Sequence, residues 1–169
     1  NICKVKNPKV GLVNIGAEEE KGNNLAKETY QLLSNLEGIN FIGNIEAREI
    51  PEGKADVVVC DAFVGNVILK MYEGVGGVLL KKVKGTLMTS LKTKIGALLI
   101  KKELKETLKT FQMDQYGGAP LLGLKGLVVK THGNSKAIEV KNSIIQCISF
   151  KEMNINDKIS KKLAVKKEN

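Results

Sequence analysis

Three short aliphatic runs constrain the fold of this chain more strongly than any other feature of its sequence. They read KVGLVNI at 9–15, INFIGNI at 39–45 and ADVVVCD at 55–61, and each is closed or followed by a glycine or a charged residue. Short runs that are rich in Val and Ile indicate strands buried on both faces. Because such strands occur in parallel sheets that helices cover, the runs predict an α/β fold.

Helical patterns separate these runs, as a parallel sheet requires. The apolar residues of 25–36 fall on one helical face, and Gly38 follows as a stop signal. A second helix is expected to begin near Asn66, and a last one to cover 135–150 after a fourth strand at 127–132. Strands that alternate with helices in this way predict a largely parallel sheet between helical layers.

Composition favours a soluble domain with an aliphatic core. Hydrophobic residues make up 43% of the 169 residues and aromatic residues only 4%, so aliphatic side chains must fill the interior. No run of about 18 apolar residues and no signal sequence appears, so we expect a cytoplasmic chain without a membrane span. The three cysteines have no metal or disulfide spacing, and Cys60 is expected to be a small buried residue of the third strand.

Positive charge is concentrated in one internal segment and in the C-terminal tail. Residues 81–109 contain nine lysines and two acids, and 151–169 contain six lysines and three acids. The tail is polar and is expected to fray. A local excess of lysine indicates an anionic partner, which could be a lipid surface, an acidic protein or nucleic acid.

Residues 86–112 combine this charge with an apolar stripe. Four apolar side chains recur at helical spacing and two lysines flank them: Leu91, Ile95, Leu98 and Leu99, with Lys92 and Lys94. A basic amphipathic helix is typical of segments that contact a membrane surface or a partner helix. The alternative is a surface helix that packs on its own domain and turns its lysines to water. Nucleic acid fits less well, because no aromatic residues interleave with the lysines.

The loop after the first strand, 16–23, is the first place where chemistry could occur. Ligands of open α/β sheets bind outside the carboxyl ends of the strands, where a following helix offers free N–H groups and its positive dipole end. Lys21, Gly22 and Asn23 could therefore form an anion site, with Asn23 or Asn24 capping the helix. A solvated acidic loop is the alternative, since the loop lacks the Lys-Ser/Thr of a P-loop.

The end of the third strand offers a second place. Asp61 falls at the ligand edge, Gly65 allows close backbone approach, and Asn66 is the expected N-cap of the next helix. The Asp61 carboxylate could orient a lysine or accept a hydrogen bond from a substrate, or it could only cap the turn that follows. The pattern supports these two roles about equally.

The third place is 117–135, where Gly117, Gly118 and Pro120 are expected to form a shaped loop. A strand then ends at His132, the single histidine of the chain, just before a helix. A neutral imidazole there could act as a base or a donor, although a lone histidine is more often structural. No metal-ligand spacing, GxGxxG fingerprint or Ser-His-Asp arrangement is present, so we expect no metal and no cofactor.

Several longer stretches carry a family resemblance. They are NPKVGLVNIGAEEEKGN, NFIGNIEAREIPEGKADVVVCDAFVGNVILK, YGGAPLLGLKG and VVKTHGNS. In order and spacing they resemble the C-terminal half of PlsX-type phosphate acyltransferases of bacterial phospholipid synthesis, from about Asn7 to Cys147. Members of that family are about twice as long, so an N-terminal half is expected to precede this chain.

The resemblance implies a fold and a division of the chain. The fold is a three-layer α/β/α sandwich of the isopropylmalate dehydrogenase and phosphate acetyltransferase class. Residues 1–150 would form the C-terminal half of the enzyme domain, with 86–112 as a protruding basic helical insertion and 151–169 as a polar basic tail.

The resemblance also implies an activity and partners. Such enzymes transfer a fatty acyl group from acyl carrier protein to inorganic phosphate, which gives acyl phosphate. They are cytoplasmic, peripherally associated with the anionic membrane surface, and homodimeric. Carried over motif by motif, the site candidates are Lys21 and Asn23 of KGN, Asp61 and Asn66 of CDAFVGN, and Lys130 and His132 of VVKTHG. In a direct transfer, Lys21 would hold phosphate while His132 or Asn66 stabilises the thioester oxyanion.

The chain departs from the family pattern at three points. Glu20 and Ala62 stand where members commonly have glycine, and NSKAI at 134–138 replaces Ser-Ser-Asp-Ala-Lys. The acidic residue of that last motif is therefore missing. Two other functions stay open, namely a non-catalytic module that binds membrane or acyl carrier protein, and a coenzyme A-dependent phosphate acetyltransferase of related fold.

Overall fold

Two compact units make up the chain. A computed structural model describes residues 5–109 and 117–164. The first unit is Cys3–Thr86, and the second combines Leu87–Asn169 with Asn1–Ile2. The chain first forms β1 Lys9–Asn14, α1 Asn24–Ser34, β2 Asn40–Glu46, a 3-10 turn Ala47–Glu49, β3 Val57–Val59 and α2 Ala62–Leu87. It continues with α3 Leu91–Leu99, α4 Lys101–Lys109, β4 Gly118–Pro120, β5 Val129–Thr131, α5 Ala137–Glu152 and α6 Ile155–Ala164.

A three-stranded parallel sheet forms the core of the first unit and confirms the predicted α/β class. The strand order is β2-β1-β3, with Val10 of β1 opposite both Phe41 and Val57. Val10, Leu12 and Ile45 are buried, and α1 packs against β1 and β2. The first two aliphatic runs thus form strands because their branched side chains fill the space between sheet and helix.

The third strand is shorter than its aliphatic run. Pairing with β1 stops at Val59, which lies opposite Leu12, and the chain then turns into α2. Cys60 therefore lies beyond the strand and is exposed, so the expectation of a buried cysteine was wrong. The run VVVC correctly predicted a strand. Because the chain turns after Val59, Cys60 is not part of that strand and is not buried.

Helix α2 begins four residues before the expected start. Asp61 caps it, so Ala62 is its first residue and Asn66 lies in its second turn, which makes the predicted N-cap role of Asn66 wrong.

By length and composition alone α2 could cross a membrane: it has 26 residues, a mean hydropathy of 1.3 over its most apolar window, and none of that window is buried. Lys70 and Glu73 interrupt its apolar residues, which is why no continuous run was found. A helix that covers a parallel sheet has the same composition.

The fourth predicted strand does not join the parallel sheet. In the second unit, β5 pairs antiparallel with β4, and Pro120 lies opposite Val129. The glycine-rich stretch that was expected to form a loop therefore supplies a strand. α5 packs against both strands, and its Ser143 and Phe150 are buried. A short aliphatic run indicates a strand, but it does not identify the partner strand or the direction of the pairing.

The basic segment forms two short helices, α3 and α4. Ser90 caps α3, since its Oγ accepts a hydrogen bond from the Thr93 N–H at 3.2 Å. Leu91 is 78% exposed and Leu99 is 77% exposed, so the predicted apolar stripe is open to solvent. Residues 110–112 of the predicted segment lie outside the described residues.

The tail contains a helix where fraying was expected. Ile155 at the start of α6 is buried, and Asn156 Nδ2 donates to the Leu124 carbonyl at 3.2 Å. These contacts anchor α6, so the expectation was wrong up to Ala164. Residues 165–169 lie outside the described part.

Candidate functional site

A cavity of about 460 Å³ opens at the carboxyl edge of the parallel sheet. From β1 the chain passes to β2 on one side and later to β3 on the other, so the strand order changes direction between β1 and β3. Crevices at such points are the usual ligand sites of open α/β sheets. The cavity is lined by Leu12, Val13, Asn14, Ile15, Gly22, Asn23, Leu25, Ala26, Thr29, Ala47, Val59, Cys60, Asp61, Val64 and Ile68.

The cavity is apolar over most of its wall and polar at a few points. Its aliphatic side chains come from β1, β3 and the beginnings of α1 and α2. Among the described residues that line it, Asp61 is the only one with a formal charge. Such a wall suits an apolar chain with one polar end better than it suits an anion.

Asp61 holds the first turn of α2. Its Oδ1 accepts hydrogen bonds from the N–H groups of Phe63 at 2.8 Å and Val64 at 3.0 Å, and its carbonyl accepts one from the Gly65 N–H at 2.9 Å. A carboxylate in this position satisfies free donors of the helix and interacts favourably with its dipole. The geometry therefore assigns Asp61 the capping role, at the wall of the cavity.

Loss of this cap should be measurable as loss of stability. Asp61→Ala is expected to lower the free energy of unfolding by about 0.5–2 kcal/mol, because two helix donors lose their acceptor. Asp61→Asn keeps an oxygen at the cap and should unfold close to wild type. Urea unfolding followed by far-ultraviolet circular dichroism compares the three proteins. Equal stability of Asp61→Ala and wild type would contradict the capping role.

Cys60 and Gly65 meet at the start of α2. A β-carbon added to Gly65 would lie 2.8 Å from Cys60 Sγ, so glycine is what lets the helix approach the sulfur this closely. Partial burial, and next the negative charge of Asp61, raise the pKa of the Cys60 thiol. The thiol therefore stays protonated near neutral pH, which disfavours an acyl-cysteine intermediate.

The raised pKa of Cys60 predicts slow alkylation. In the folded protein, the pH midpoint for reaction of Cys60 with iodoacetamide should lie above the midpoint in the same protein unfolded by urea, because the thiolate is the reacting form. Asp61→Asn removes the neighbouring charge while keeping a capping oxygen, so it should lower the folded-state midpoint. Mass spectrometry of the Cys60 peptide across pH measures both shifts. A midpoint unchanged by Asp61→Asn would exclude the carboxylate as a cause.

The loop between β1 and α1 closes tightly at Gly22 and Asn23. Asn23 caps α1 as predicted, since its Oδ1 accepts from the Ala26 N–H at 2.9 Å. Gly22 has φ +90°, and a β-carbon on it would lie 2.5 Å from Asn14 Oδ1. Side chains rarely adopt this backbone conformation, so glycine is required on both counts. Gly22 and Asn23 line the cavity, and the N terminus of α1 therefore faces it.

Lys21 belongs to the same loop but does not line the cavity. Its side chain runs past Gly16, where an added β-carbon would lie 3.2 Å from Lys21 Cγ and 2.7 Å from Glu18 Oε2. The side chain is exposed and lies along its own loop near a carboxylate. An anion at the cavity would meet the ammonium group only after this flexible side chain turns toward it.

The cavity brings together some of the predicted site residues and not others. Gly22, Asn23 and Asp61 line it, whereas Gly65 and Asn66 are not among its lining residues. Gly65 does allow a close approach, as predicted, but to the sulfur of Cys60.

Lys130 and His132 belong to the second unit. Lys130 is an exposed residue of β5, and His132 follows that strand in a turn. His132 Nδ1 accepts from the Asn134 N–H at 3.3 Å, and the His132 carbonyl accepts from Ser135 Oγ at 2.7 Å. In a neutral ring, this acceptor role of Nδ1 places the proton on Nε2.

Two buried asparagines near the loop were missed by the sequence-based prediction. Asn14 and Asn44 lie at the carboxyl edge of β1 and β2, and their side-chain amides donate to carbonyls of the loop between β1 and α1. A signal was present, because each stands directly before the last isoleucine of an aliphatic run, as Asn14-Ile15 and Asn44-Ile45. A polar residue at that position of a buried strand has to find a hydrogen-bond partner.

Comparison with known proteins identifies relatives over nearly the whole chain. A family model described as "Fatty acid synthesis protein" matches residues 1–158. The chain is 50% identical over 163 residues to the phosphate acyltransferase of Clostridium acetobutylicum, which covers 96% of this chain and 49% of that protein. It is 51% identical over 159 residues to the phosphate acyltransferase of Clostridium novyi, covering 94% and 48%.

A third relative comes from another genus. The phosphate acyltransferase of Acetivibrio thermocellus is 52% identical over 155 residues, which is 92% of this chain and 45% of that protein. The chain therefore spans about half the length of the curated relatives that it matches.

Proposed function

Because the chain belongs to the fatty acid synthesis protein family, whose curated relatives are phosphate acyltransferases, we propose that it forms part of an enzyme that transfers a fatty acyl group from acyl carrier protein to inorganic phosphate. The product would be an acyl phosphate for phospholipid synthesis. The activity is proposed for a protein of the relatives' length, since this chain spans about half of it.

The cavity at the carboxyl edge of the sheet is the observation that supports this proposal. It offers an apolar wall to an acyl chain, and the N terminus of α1 reaches it at Asn23, whereas the first donors of α2 are already bound by Asp61. Backbone N–H groups at helix N termini stabilise phosphate and developing negative charge. A fatty acyl thioester that reacts with phosphate needs both features: an apolar wall for the acyl chain, and hydrogen-bond donors for the phosphate and the thioester oxygen.

The proposed reaction is a direct transfer. A phosphate oxygen attacks the thioester carbonyl carbon, the C–S bond breaks, and the carrier leaves as its thiol after taking a proton. Phosphate is already an anion and needs positioning more than deprotonation. Lys21 and N–H groups of the loop would hold it, and the side-chain amide of Asn66 is the proposed donor to the thioester oxyanion.

No covalent enzyme intermediate is needed. The nearest thiol on the cavity wall is that of Cys60, whose raised pKa keeps it in the weakly nucleophilic protonated form. Metal ions are not invoked either, and within residues 5–109 and 117–164 no group of three or more His, Cys, Asp or Glu is placed to bind one.

An activity assay with three acyl donors tests the proposal. A protein of the relatives' length that carries this sequence is incubated with phosphate and either long-chain acyl carrier protein, long-chain acyl coenzyme A or acetyl coenzyme A, and the acyl phosphate is trapped by hydroxylamine. We expect hydroxamate that depends on phosphate and on acyl carrier protein. A preference for acetyl coenzyme A would instead favour a phosphate acetyltransferase, and no product with any donor would leave only a binding function.

The basic segment is proposed to bring the enzyme to an anionic membrane surface from the cytoplasm. Two exposed leucines of α3, Leu91 and Leu99, lie in sequence among Lys92, Lys94 and the lysines that begin α4. Leucines insert at the headgroup boundary and lysines attract anionic lipid, so the two effects add. This same observation favours the second candidate, a binding module without catalysis. A basic surface also suits acyl carrier protein as an acidic partner. A homodimer is proposed from the family resemblance. No nucleic-acid partner is proposed.

A further inference from the structure

Two asparagine side chains are buried beneath the loop that carries Lys21. Asn14, the last residue of β1, is 9% exposed, and Asn44 of β2 is 4% exposed. Buried amides are costly unless they are hydrogen bonded, so their partners reveal what they do. Asn14 Nδ2 donates to the Lys21 carbonyl at 3.0 Å, and Asn44 Nδ2 donates to the Glu18 carbonyl at 2.7 Å. Both amides therefore hold the same loop, three residues apart.

The contact with Asn14 restrains the backbone where Lys21 joins Gly22. Asn14 Oδ1 also accepts from the Ile15 N–H at 2.9 Å, which fixes the orientation of the amide. The next residue after Lys21, Gly22, closes on the same side chain, because a β-carbon there would lie 3.0 Å from Asn14 Nδ2. The Lys21 carbonyl is thus bound to an amide that also packs against Gly22.

Asn44 holds the loop through the hydrogen bond that its Nδ2 donates, not through the packing of its side chain. Its Oδ1 is buried and has no hydrogen-bond partner in the part of the chain that the structure describes. An unsatisfied buried acceptor is unfavourable, so packing alone would favour an aliphatic side chain at this point of the strand. The useful part of the side chain is therefore Nδ2, which binds the loop at Glu18.

We propose that Asn14 and Asn44 are positioning residues that hold the loop 15–23 so that Lys21 can bind phosphate. Asn14 lies in the cavity wall and Asn44 is not among the residues that line it, and both act on Lys21 through the backbone of the loop. The inference rests on the proposed phosphate-binding role of Lys21. The two asparagines bind only the backbone of the loop. The flexible side chain of Lys21 therefore stays free to turn toward an anion.

Kinetics of variants in the complete enzyme test this inference. Asn14→Asp keeps size and the acceptor oxygen but loses the donor, and Asn44→Val removes both polar atoms with a β-branched side chain that suits a strand. Each variant is expected to raise KM for phosphate about tenfold, the effect of one lost buried hydrogen bond. KM for the acyl donor should stay unchanged in Asn44→Val, because Asn44 is not among the residues that line the cavity. Thermal melting confirms that each variant is folded. Because a buried carboxylate could unfold the protein, a folded Asn44→Val provides the result by itself.

A double-mutant comparison separates positioning from a merely structural role. In a Lys21→Ala background, Asn44→Val should change KM for phosphate no further, because the residue acts through Lys21. Asn35→Asp is the matched control, since Asn35 Nδ2 also donates to a backbone carbonyl, that of Gln31 at 2.9 Å, outside the loop. It should leave KM for phosphate unchanged.

The outcomes are distinct. A wild-type enzyme that forms no acyl phosphate would contradict the proposed function itself. An active wild type whose folded Asn14→Asp and Asn44→Val variants keep the normal KM for phosphate would overturn the positioning role alone. Equal losses for both substrates in Asn44→Val, or full additivity of that variant with Lys21→Ala, would overturn it as well.

Discussion

Lys21→Ala in the complete enzyme is expected to lower kcat/KM for phosphate by about 10–100-fold, because a hydrogen bond to a charged group contributes about 1.5–3 kcal/mol. The loop itself should survive, because the hydrogen bond from Asn14 goes to the Lys21 carbonyl and not to its side chain. Stability should therefore stay near wild type while activity falls. Hydroxamate formation at varied phosphate concentration, together with thermal melting, measures both quantities.

Lys27→Ala is the matched control for this experiment. Lys27 is an exposed lysine of α1, beside a groove that it shares with Glu19, Glu20 and Glu28. Its loss changes the net charge equally but removes no group from the loop. An equal loss of activity in Lys27→Ala would indicate a general effect of charge, and near-normal activity of Lys21→Ala would remove Lys21 from the site.

Replacing the four lysines Lys92, Lys94, Lys101 and Lys102 by Gln is expected to weaken binding to anionic vesicles by roughly a thousandfold. Each lysine near an anionic surface contributes about 1 kcal/mol, and about 1.4 kcal/mol corresponds to a factor of ten. All four side chains are exposed, so their removal should cost little stability. Flotation with phosphatidylserine-containing vesicles measures the bound fraction, which should also fall with added salt.

Lysines of α6 provide the matched control for membrane binding. Lys158, Lys161 and Lys162 are exposed and basic but belong to the tail rather than to the leucine-bearing segment. Their replacement by Gln should reduce flotation far less. Unchanged flotation of the four-lysine variant would contradict the membrane role of the basic segment, and equal loss in the α6 variant would mean that net charge alone drives binding.

The parallel sheet could be predicted because its signal is local. The runs at 9–15 and 39–45 match β1 Lys9–Asn14 and β2 Asn40–Glu46 within one residue at each end. Branched aliphatic residues in a continuous run have few other stable arrangements than a covered strand. The antiparallel pairing of β4 with β5 was not predicted, because Gly118 and Pro120 are residue types that are depleted in strands and β4 therefore carries no local strand signal.

The candidate site was predicted only in part, for a similar reason. The rule that ligands bind at the carboxyl ends of strands was enough to select Gly22, Asn23 and Asp61. It could not find Asn14 and Asn44, because their partners lie 7 and 26 residues away and become neighbours only when the loop closes.

By itself, the sequence determined the first two strands of the parallel sheet, a cap of α1 at Asn23 or Asn24 and the edge at which a ligand is expected to bind, since these follow from periodicity and from residues close along the chain. Only the tertiary structure decided that Asp61 caps α2, that Cys60 is exposed beside it with a raised pKa, and that two buried amides hold the loop of Lys21. Those features depend on distances through space and on burial, and neither quantity is contained in the spacing of residues along the chain.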